Sequence, residues 1–200
     1  MKNQMSLQIH MEDFVQYFSG INLGIDSANF DKFDLHAKLK HYQKGEYLIT
    51  QGQPAPKLFF LVKGFVRYLS ISTAGKEFTQ SFTCAPSISG STRAMTKNVD
   101  ALFSIEALDE VICLEFDWQV FFEKMKEQPG FLEAYNRLLE NMFIKKEERE
   151  YAFVQHSAEQ RYLTFLDNNP KLLDKISLKM IASHIGITAI ALSRIRKKLQ

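Results

Sequence analysis

The sequence predicts an α+β protein in which an antiparallel β-roll of jelly-roll type is followed by a long helix and a small all-helical module. Short β-branched and aromatic runs separated by glycines fill residues 41–116. A long stretch without turn signals follows Pro129-Gly130, and the chain ends on two short helical periodicities joined at a glycine. We therefore predict domains at residues 1–128, 129–156 and 157–200.

The composition is that of an ordinary globular protein, with 46% hydrophobic and 24% charged residues in a chain of 200. The amino terminus lacks the apolar core of a secretion signal, so we expect a cytoplasmic protein without a membrane segment. Only Cys84 and Cys113 are present, and the five histidines show no metal-ligand spacing. We expect no metal, no cofactor and, because no catalytic motif is recognisable, no enzyme activity.

Residues 1–40 have helical spacing and predict a helical lead-in to the roll. The roll itself is predicted from six runs, which read EYLIT, LFFLV, FVRYLSI, EFTQSFT, LFSIEAL and VICLEF. Gly45, Gly52, Gly64, Gly75 and Gly90 punctuate these runs. Strands of this length at this spacing are typical of a small antiparallel barrel or roll.

The long helix carries a row of side chains at alternating spacings of three and four, the period of a coiled-coil seam. The row includes Tyr135, Leu139, Met142 and Phe153. We expect this helix to pair with its twin in a homodimer. The alternative is that the row packs against the roll of its own chain.

Cap residues divide the last part of the chain into helices. Ser157 and Gln160 match a capping box, and Asn169-Pro170 ends the helix that starts there. A second helix, capped by Ser177, would bury one face made of Leu178, Ile181, Ala182 and Ile185. Gly186 would end it in the left-handed conformation, and Thr188 would cap a third helix that buries Leu192, Ile195 and Leu199. This pattern predicts a helix-turn-helix.

The basic charge of this module indicates a polyanionic partner. From Lys171 onward the chain contains seven basic residues and one acidic residue, Asp174. On the third helix Ile190, Arg194 and Lys197 point away from the predicted core, and Ser193 and Lys198 flank them. We predict that these residues, with Thr188 and Ala189 at the start of the helix, contact double-stranded DNA in the major groove.

The chain resembles the Crp/Fnr superfamily of bacterial transcription regulators over about residues 20–200. The segment YQKGEYLITQGQPAPKLFFLVKGFVRYLSI is similar to the opening strands of the family's cyclic-nucleotide-binding roll, and AEQRYLTFLDNNPKLLDKISLKMIASHIGITAIALSRIRKKL is similar to its DNA-binding half. The resemblance implies a homodimer that binds DNA, with RNA polymerase as a further candidate partner. It places the base-reading positions at Ala189, Ile190 and Arg194.

The sequence departs from the family at two places. The region expected to hold a cyclic phosphate reads CAPSISGSTRAMTKNVDALFSIEAL and lacks the family's Gly-Glu pair and its arginine. We therefore expect no response to cyclic nucleotides; Ser89, Gly90, Ser91 and Arg93 remain a candidate effector pocket for an unknown ligand. In the recognition helix, Ala189-Ile190 replaces the polar residues that are common in the family, and Ile190 suits a thymine methyl.

Two other functions stay open at this point. One is a cyclic-nucleotide-responsive regulator with a degenerate phosphate site. The other is an interaction module that binds no DNA. The operator, the effector and the direction of regulation do not follow from the sequence.

Overall fold

The computed structural model describes residues 2–21 and 35–199, and in the first segment it describes the side chains of residues 7–20. In this part of the chain the helices are α1 (Lys2–Ile21), α2 (Thr92–Lys97), α3 (Trp118–Met125), α4 (Phe131–Gln155), α5 (Ala158–Asn168), α6 (Leu178–Ile185) and α7 (Ala189–Leu199). The strands are β1 (Lys38–Tyr42), β2 (Tyr47–Ile49), β3 (Lys57–Lys63), β4 (Phe65–Ile71), β5 (Glu77–Cys84), β6 (Ser87–Gly90), β7 (Ser104–Ala107) and β8 (Val111–Asp117). The predicted α+β class is confirmed.

The strands form two four-stranded sheets, with the orders β1-β8-β3-β6 and β2-β7-β4-β5. In the first sheet β3 and β8 pair antiparallel, so that Phe60 lies opposite Leu114. Each of the six predicted runs overlaps a strand, and β4 coincides with one of them, whereas β6 is not among the predicted runs. Eight strands in two sheets is the arrangement of a jelly roll.

One strand was predicted as helix. Residues up to 40 have helical spacing, yet Lys38–Tyr42 form β1 and pair antiparallel with β8. The pairing gives β1 backbone partners along its whole length, and this tertiary contact overrides a weak local preference. The rest of the predicted lead-in helix is α1 up to Ile21, and its continuation over residues 22–34 lies outside the described residues.

An aromatic core joins α1 to the first sheet and to the start of α4. Phe14 and Phe18 of α1 are buried, and their rings lie 5.3 Å from Phe60 and 6.0 Å from Phe131, respectively. Phe121 of α3 completes the cluster between them. These large side chains account for much of the apolar burial of this part of the chain. Helix α1 is therefore part of the core of the roll.

The described chain forms two compact units. The roll unit comprises residues up to Tyr68 together with Phe82–Glu140, and the carboxy-terminal unit comprises Leu69–Ser81 and Asn141–Gln200. The tip of the β4–β5 hairpin, Leu69–Ser81, thus belongs to the same unit as the last three helices. The predicted domain limits at residues 128 and 156 stay a prediction.

Candidate nucleic-acid interface

Helices α6 and α7 meet at the predicted glycine turn. The Ser177 hydroxyl accepts from the Met180 amide at the start of α6, and the Thr188 hydroxyl accepts from the Ala191 amide at the start of α7. Gly186 has φ +78°, and the Ile187 amide donates to the Ala182 carbonyl at 2.9 Å, which closes the end of α6. The chain bends by 98° between the two helices, within the range of helix-turn-helix motifs.

The two helices share a small apolar core with α5. The core residues of the module are Tyr162, Phe165, Leu172, Ile181, Ala182, Ile185 and Leu192, all buried. Ile195 is half-buried, whereas Leu178 and Leu199, which the sequence predicts as core residues, are 39% and 42% exposed. Leu199 is the last residue of α7, and helix ends commonly emerge from the core.

A feature not predicted from the sequence secures the end of α6. Arg149 of α4 donates to the His184 carbonyl at 2.9 Å, and Arg161 of α5 donates to the Ile185 carbonyl at 2.9 Å. Both guanidinium groups lie over the ring of Phe153, at 4.7 Å and 4.9 Å from its centre. The carbonyls at the carboxy end of a helix lack hydrogen-bond donors within the helix, and here the guanidinium groups of Arg149 and Arg161 are the donors.

His184 is half-buried beside the same arginine. The pKa of His184 is lowered to about 4, mainly by desolvation and also by the nearby positive charge of Arg149, while backbone hydrogen bonds at Thr79 and Gln80 oppose the shift. The ring is therefore neutral at pH 7. Nη1 of Arg149 lies 3.3 Å from its Nδ1.

The outer face of α7 is exposed to solvent. Every residue predicted to contact DNA lies on the surface of the carboxy-terminal unit, namely Thr188, Ala189, Ile190, Ser193, Arg194, Lys197 and Lys198. Ile190 is 69% exposed, more than any other large apolar residue of α7. Lys198 forms an ion pair of 2.8 Å with Glu159 of α5, so this lysine is already engaged within its own chain.

The predicted effector-pocket residues have hydrogen-bond partners within their own chain, and the pocket stays a prediction. Ser89 is buried, with its hydroxyl 2.5 Å from that of Tyr68, and Ser91 caps α2 by accepting from the Ala94 amide. Arg93 is exposed and donates to the Asp100 carbonyl at 2.7 Å. The Gly90 amide donates to the Tyr68 hydroxyl at 3.4 Å. The hydroxyl of Tyr68 is therefore the partner of both the Ser89 hydroxyl and the Gly90 amide at the end of β6.

The predicted dimer-helix residues lie in different surroundings. The Tyr135 ring stacks on Phe131 at 6.1 Å and contacts Trp118 and Phe122, while Leu139 is half-buried. Met142 is exposed, and Phe153 lies against Gly186 and the two arginines. The large apolar side chains that α4 exposes are Leu132, Met142, Phe143, Ile144, Tyr151, Phe153 and Val154.

Within the described residues no group of three or more His, Cys, Asp or Glu side chains could hold a metal ion. In the same part of the chain no single helix has the length and apolar character needed to cross a membrane. Helices α6 and α7 taken together pass that test by length and composition alone, with the 98° bend between them.

Comparison with known proteins gives matches to bacterial regulators. Residues 39–128 match the model of the cyclic nucleotide-binding domain family. Over 96% of its length the chain is 22% identical to Electron transport regulator A of Shewanella oneidensis, of which the match covers 81%. This relative is named as a regulator.

Solved structures share the fold. The c-di-GMP-responsive global regulator CLP of Xanthomonas campestris superimposes with a TM-score of 0.72 at 14% identity, covering 88% of this chain and 92% of that one. A protein from Eubacterium rectale assigned to the Crp/Fnr family of transcriptional regulators gives 0.67 at 17% identity, covering 88% and 84%.

Proposed function

We propose that this chain is a homodimeric regulator of the Crp/Fnr type that binds a specific DNA sequence in the cytoplasm, because residues 39–128 match the cyclic nucleotide-binding domain family and the chain is similar to known regulators over 96% of its length. The observation that carries the proposal is the exposed, basic outer face of α7 in a helix-turn-helix that bends by 98°. RNA polymerase is a further proposed partner, because a transcription regulator acts on that enzyme.

The chemistry of the outer face suits the major groove. The guanidinium of Arg194 can donate to O6 and N7 of one guanine, and the ammonium of Lys197 matches a phosphate as a point charge. Ser193 can bond a base edge or a phosphate. Ile190 offers only a methyl-bearing surface, which complements the methyl group of thymine. Polar and apolar contacts on one helix face would together select a sequence.

We expect Arg194→Ala to weaken binding of the selected DNA site by about 1 to 3 kcal/mol and to relax preference at one G·C pair in each half-site. Lys197→Ala should weaken the binding of specific and of random DNA equally, and should lower the slope of log affinity against log salt concentration by about one. Ile190→Ala should leave the salt dependence unchanged. Fluorescence anisotropy titrations over a series of salt concentrations measure all three.

A thymine-to-uracil scan of the site provides the matching DNA change for Ile190. Uracil lacks only the methyl group, so at the contacted base it should reproduce the loss caused by Ile190→Ala, and the two changes together should cost no more than either alone. Additive losses at every thymine would contradict the role of Ile190. Equal binding of random and selected DNA by the unaltered protein would contradict the proposed function itself.

The proposed dimer uses the exposed side of α4. With about 100° between successive residues, Leu132, Leu139 and Val154 fall within about 40° of Phe143 on the helix. Phe143 and Val154 are 66% and 74% exposed. Three polar residues, Asn136, Glu147 and Glu150, fall within the same interval and interrupt this stripe. A second copy of the chain, contributing the same stripe across a two-fold axis, would cover these side chains and present two recognition helices about 34 Å apart, matching an inverted-repeat DNA site.

Phe143→Glu should raise the dimer dissociation constant at least about tenfold, because it places a charge in the apolar centre of the contact. Asn141→Glu adds the same charge about 160° away around the helix and should leave dimerisation unchanged. Sedimentation at several protein concentrations distinguishes the two variants. Equal behaviour of both, or a monomeric unaltered protein at micromolar concentration, would contradict the proposed dimer face.

We also propose that the roll does not respond to cyclic nucleotides. In support, the amide of Gly90 and the hydroxyl of Ser89 already have a partner in Tyr68, whose ring lies 5.4 Å from that of Phe103. Calorimetric titration of the protein with cyclic AMP or cyclic GMP should show no saturable binding at micromolar nucleotide. Saturation in that range would favour the alternative, a cyclic-nucleotide-responsive regulator with a degenerate site.

A further inference from the structure

The tip of the β4–β5 hairpin, Leu69–Ser81, lies against α6 in the carboxy-terminal unit. The amide of Thr79 donates to the Ser183 hydroxyl at 2.9 Å, and that hydroxyl donates to the Glu77 carbonyl at 3.2 Å. Thr79 is buried at this contact. A single serine side chain thus satisfies two backbone groups of β5 and fixes the hairpin tip beside the helix-turn-helix.

A groove of about 530 Å³ runs between the hairpin tip and the helix-turn-helix. Its hairpin wall consists of Gly75, Lys76, Glu77 and Phe78, and its other wall of Lys179, Ser183, Gly186, Ile187, Thr188 and Ala189. The groove therefore reaches the first residues of the recognition helix. Its charged residues are two lysines and one glutamate, which leaves it net positive.

Lys76 is the residue of the hairpin tip best suited to meet an anion here. It is exposed, and its ammonium lies 4.9 Å from the ring centre of Phe78, which is itself 42% exposed. A contact of this kind restricts the flexible lysine stem while leaving the ammonium open to solvent. Less conformational entropy is then lost when the ammonium binds a partner.

We propose that the hairpin tip is part of the DNA-binding surface, with Lys76 contacting a backbone phosphate next to the one approached by the start of α7. This inference rests on the proposed DNA binding and extends it beyond the helix-turn-helix. It is supported by the continuity of the groove with Thr188 and Ala189 and by its positive charge. Lys76 contributes affinity without reading sequence, because phosphates are the same at every base pair.

Lys76→Ala should weaken the binding of selected and of random DNA equally, on the order of fivefold at moderate salt. It should also lower the slope of log affinity against log salt concentration by about one. Lys76→Arg should retain the slope. The matched control is Lys44→Ala, which removes an exposed turn lysine of the roll unit and changes net charge equally. An unchanged slope for Lys76→Ala, or the same drop for Lys44→Ala, would overturn the proposal.

Neutral phosphate substitutions locate the contact. Replacing single phosphates of the site by methylphosphonate should identify one position in each half-site where the unaltered protein loses affinity and the Lys76→Ala variant loses none. Losses that add for Lys76→Ala at every position would overturn the assignment. If Arg194→Ala behaves as expected and Lys76→Ala has no effect, the hairpin contact is wrong while the proposed DNA binding stands. If the unaltered protein binds no DNA, both the hairpin contact and the proposed DNA binding are wrong.

Ser183→Ala tests the attachment of the hairpin. It removes the hydroxyl that holds the Thr79 amide and the Glu77 carbonyl, so the salt slope should fall toward that of Lys76→Ala. The double variant should show no further fall. The control is Ser193→Ala, a serine change on the outer face of α7, which should leave the contribution of Lys76 to the salt slope intact. If the variant that combines Ser183→Ala with Lys76→Ala loses the sum of the two single falls in slope, the proposed attachment is wrong.

Discussion

Gly186→Ala should lower the free energy of unfolding of the carboxy-terminal unit by about 3 kcal/mol. At φ +78° an added Cβ is strained, typically by about 1 to 2 kcal/mol. That Cβ would also lie 2.5 Å from Cε1 of Phe153, and overpacking of this kind costs about 1 to 3 kcal/mol more. Urea unfolding followed by far-ultraviolet circular dichroism measures the change.

Gly52→Ala separates the two contributions. Gly52 has φ +76°, yet an added Cβ there has no heavy atom within 4 Å, so only the backbone strain of about 1 kcal/mol should appear. Arg149 and Arg161 both lie over the Phe153 ring, so a shift of the ring away from a new methyl group at residue 186 would disturb both contacts. Phe153→Ala should therefore suppress part of the Gly186→Ala loss. Equal losses for the two glycine changes would show that the contact with Phe153 is unimportant.

Stability should fall by about 2 kcal/mol between pH 7.5 and pH 5 because of His184. Its folded pKa, about 4, is below the ordinary value of 6.5, so the unfolded chain binds the proton more tightly. The contribution is fully present above pH 6.5 and is lost as the pH falls from there through about 4. Within that interval most carboxylates are still ionised, so the histidine change dominates.

His184→Gln removes the titration and should flatten stability between pH 7.5 and 5, although it lowers stability at neutral pH by disturbing the contact with Arg149. His41→Gln, at an exposed position of β1, is the matched control for the replacement of one histidine by glutamine. Urea midpoints recorded at intervals of half a pH unit provide the comparison. If the slopes of the unaltered protein and of His184→Gln coincide, another group is responsible.

Local signals predicted most of the carboxy-terminal module. The cap residues Ser157, Ser177 and Thr188 and the turn residue Gly186 act through neighbours within four positions, and all four predictions are confirmed. Strand β1 was not predicted, because its stability comes from pairing with β8, far along the chain. A local period cannot distinguish a short strand from a helix end in such a segment.

The contacts around α6 could not be predicted from the sequence either, for a different reason. Arg149 and Phe153 have coiled-coil spacing, and the spacing alone does not tell which partner the row meets. In the structure both side chains contact residues 184–186 of their own chain. Ser183 and His184 likewise read as one polar edge of an amphipathic helix, and only the fold brings them to β5. The DNA-contact residues stay a prediction until binding is measured.

Trp118, the first residue of α3, is buried against the first turns of α4 and gives the protein an intrinsic fluorescence probe. It is the only tryptophan in the chain, and its ring lies 5.1 Å from Phe122 and 5.7 Å from Tyr135. Indole emission responds to the polarity and packing of its surroundings, so a shift of the Tyr135 turn would change the colour or intensity of the fluorescence. Candidate effectors can therefore be screened on unlabelled protein in the absence of DNA, with every signal arising from one known position at the start of the long helix.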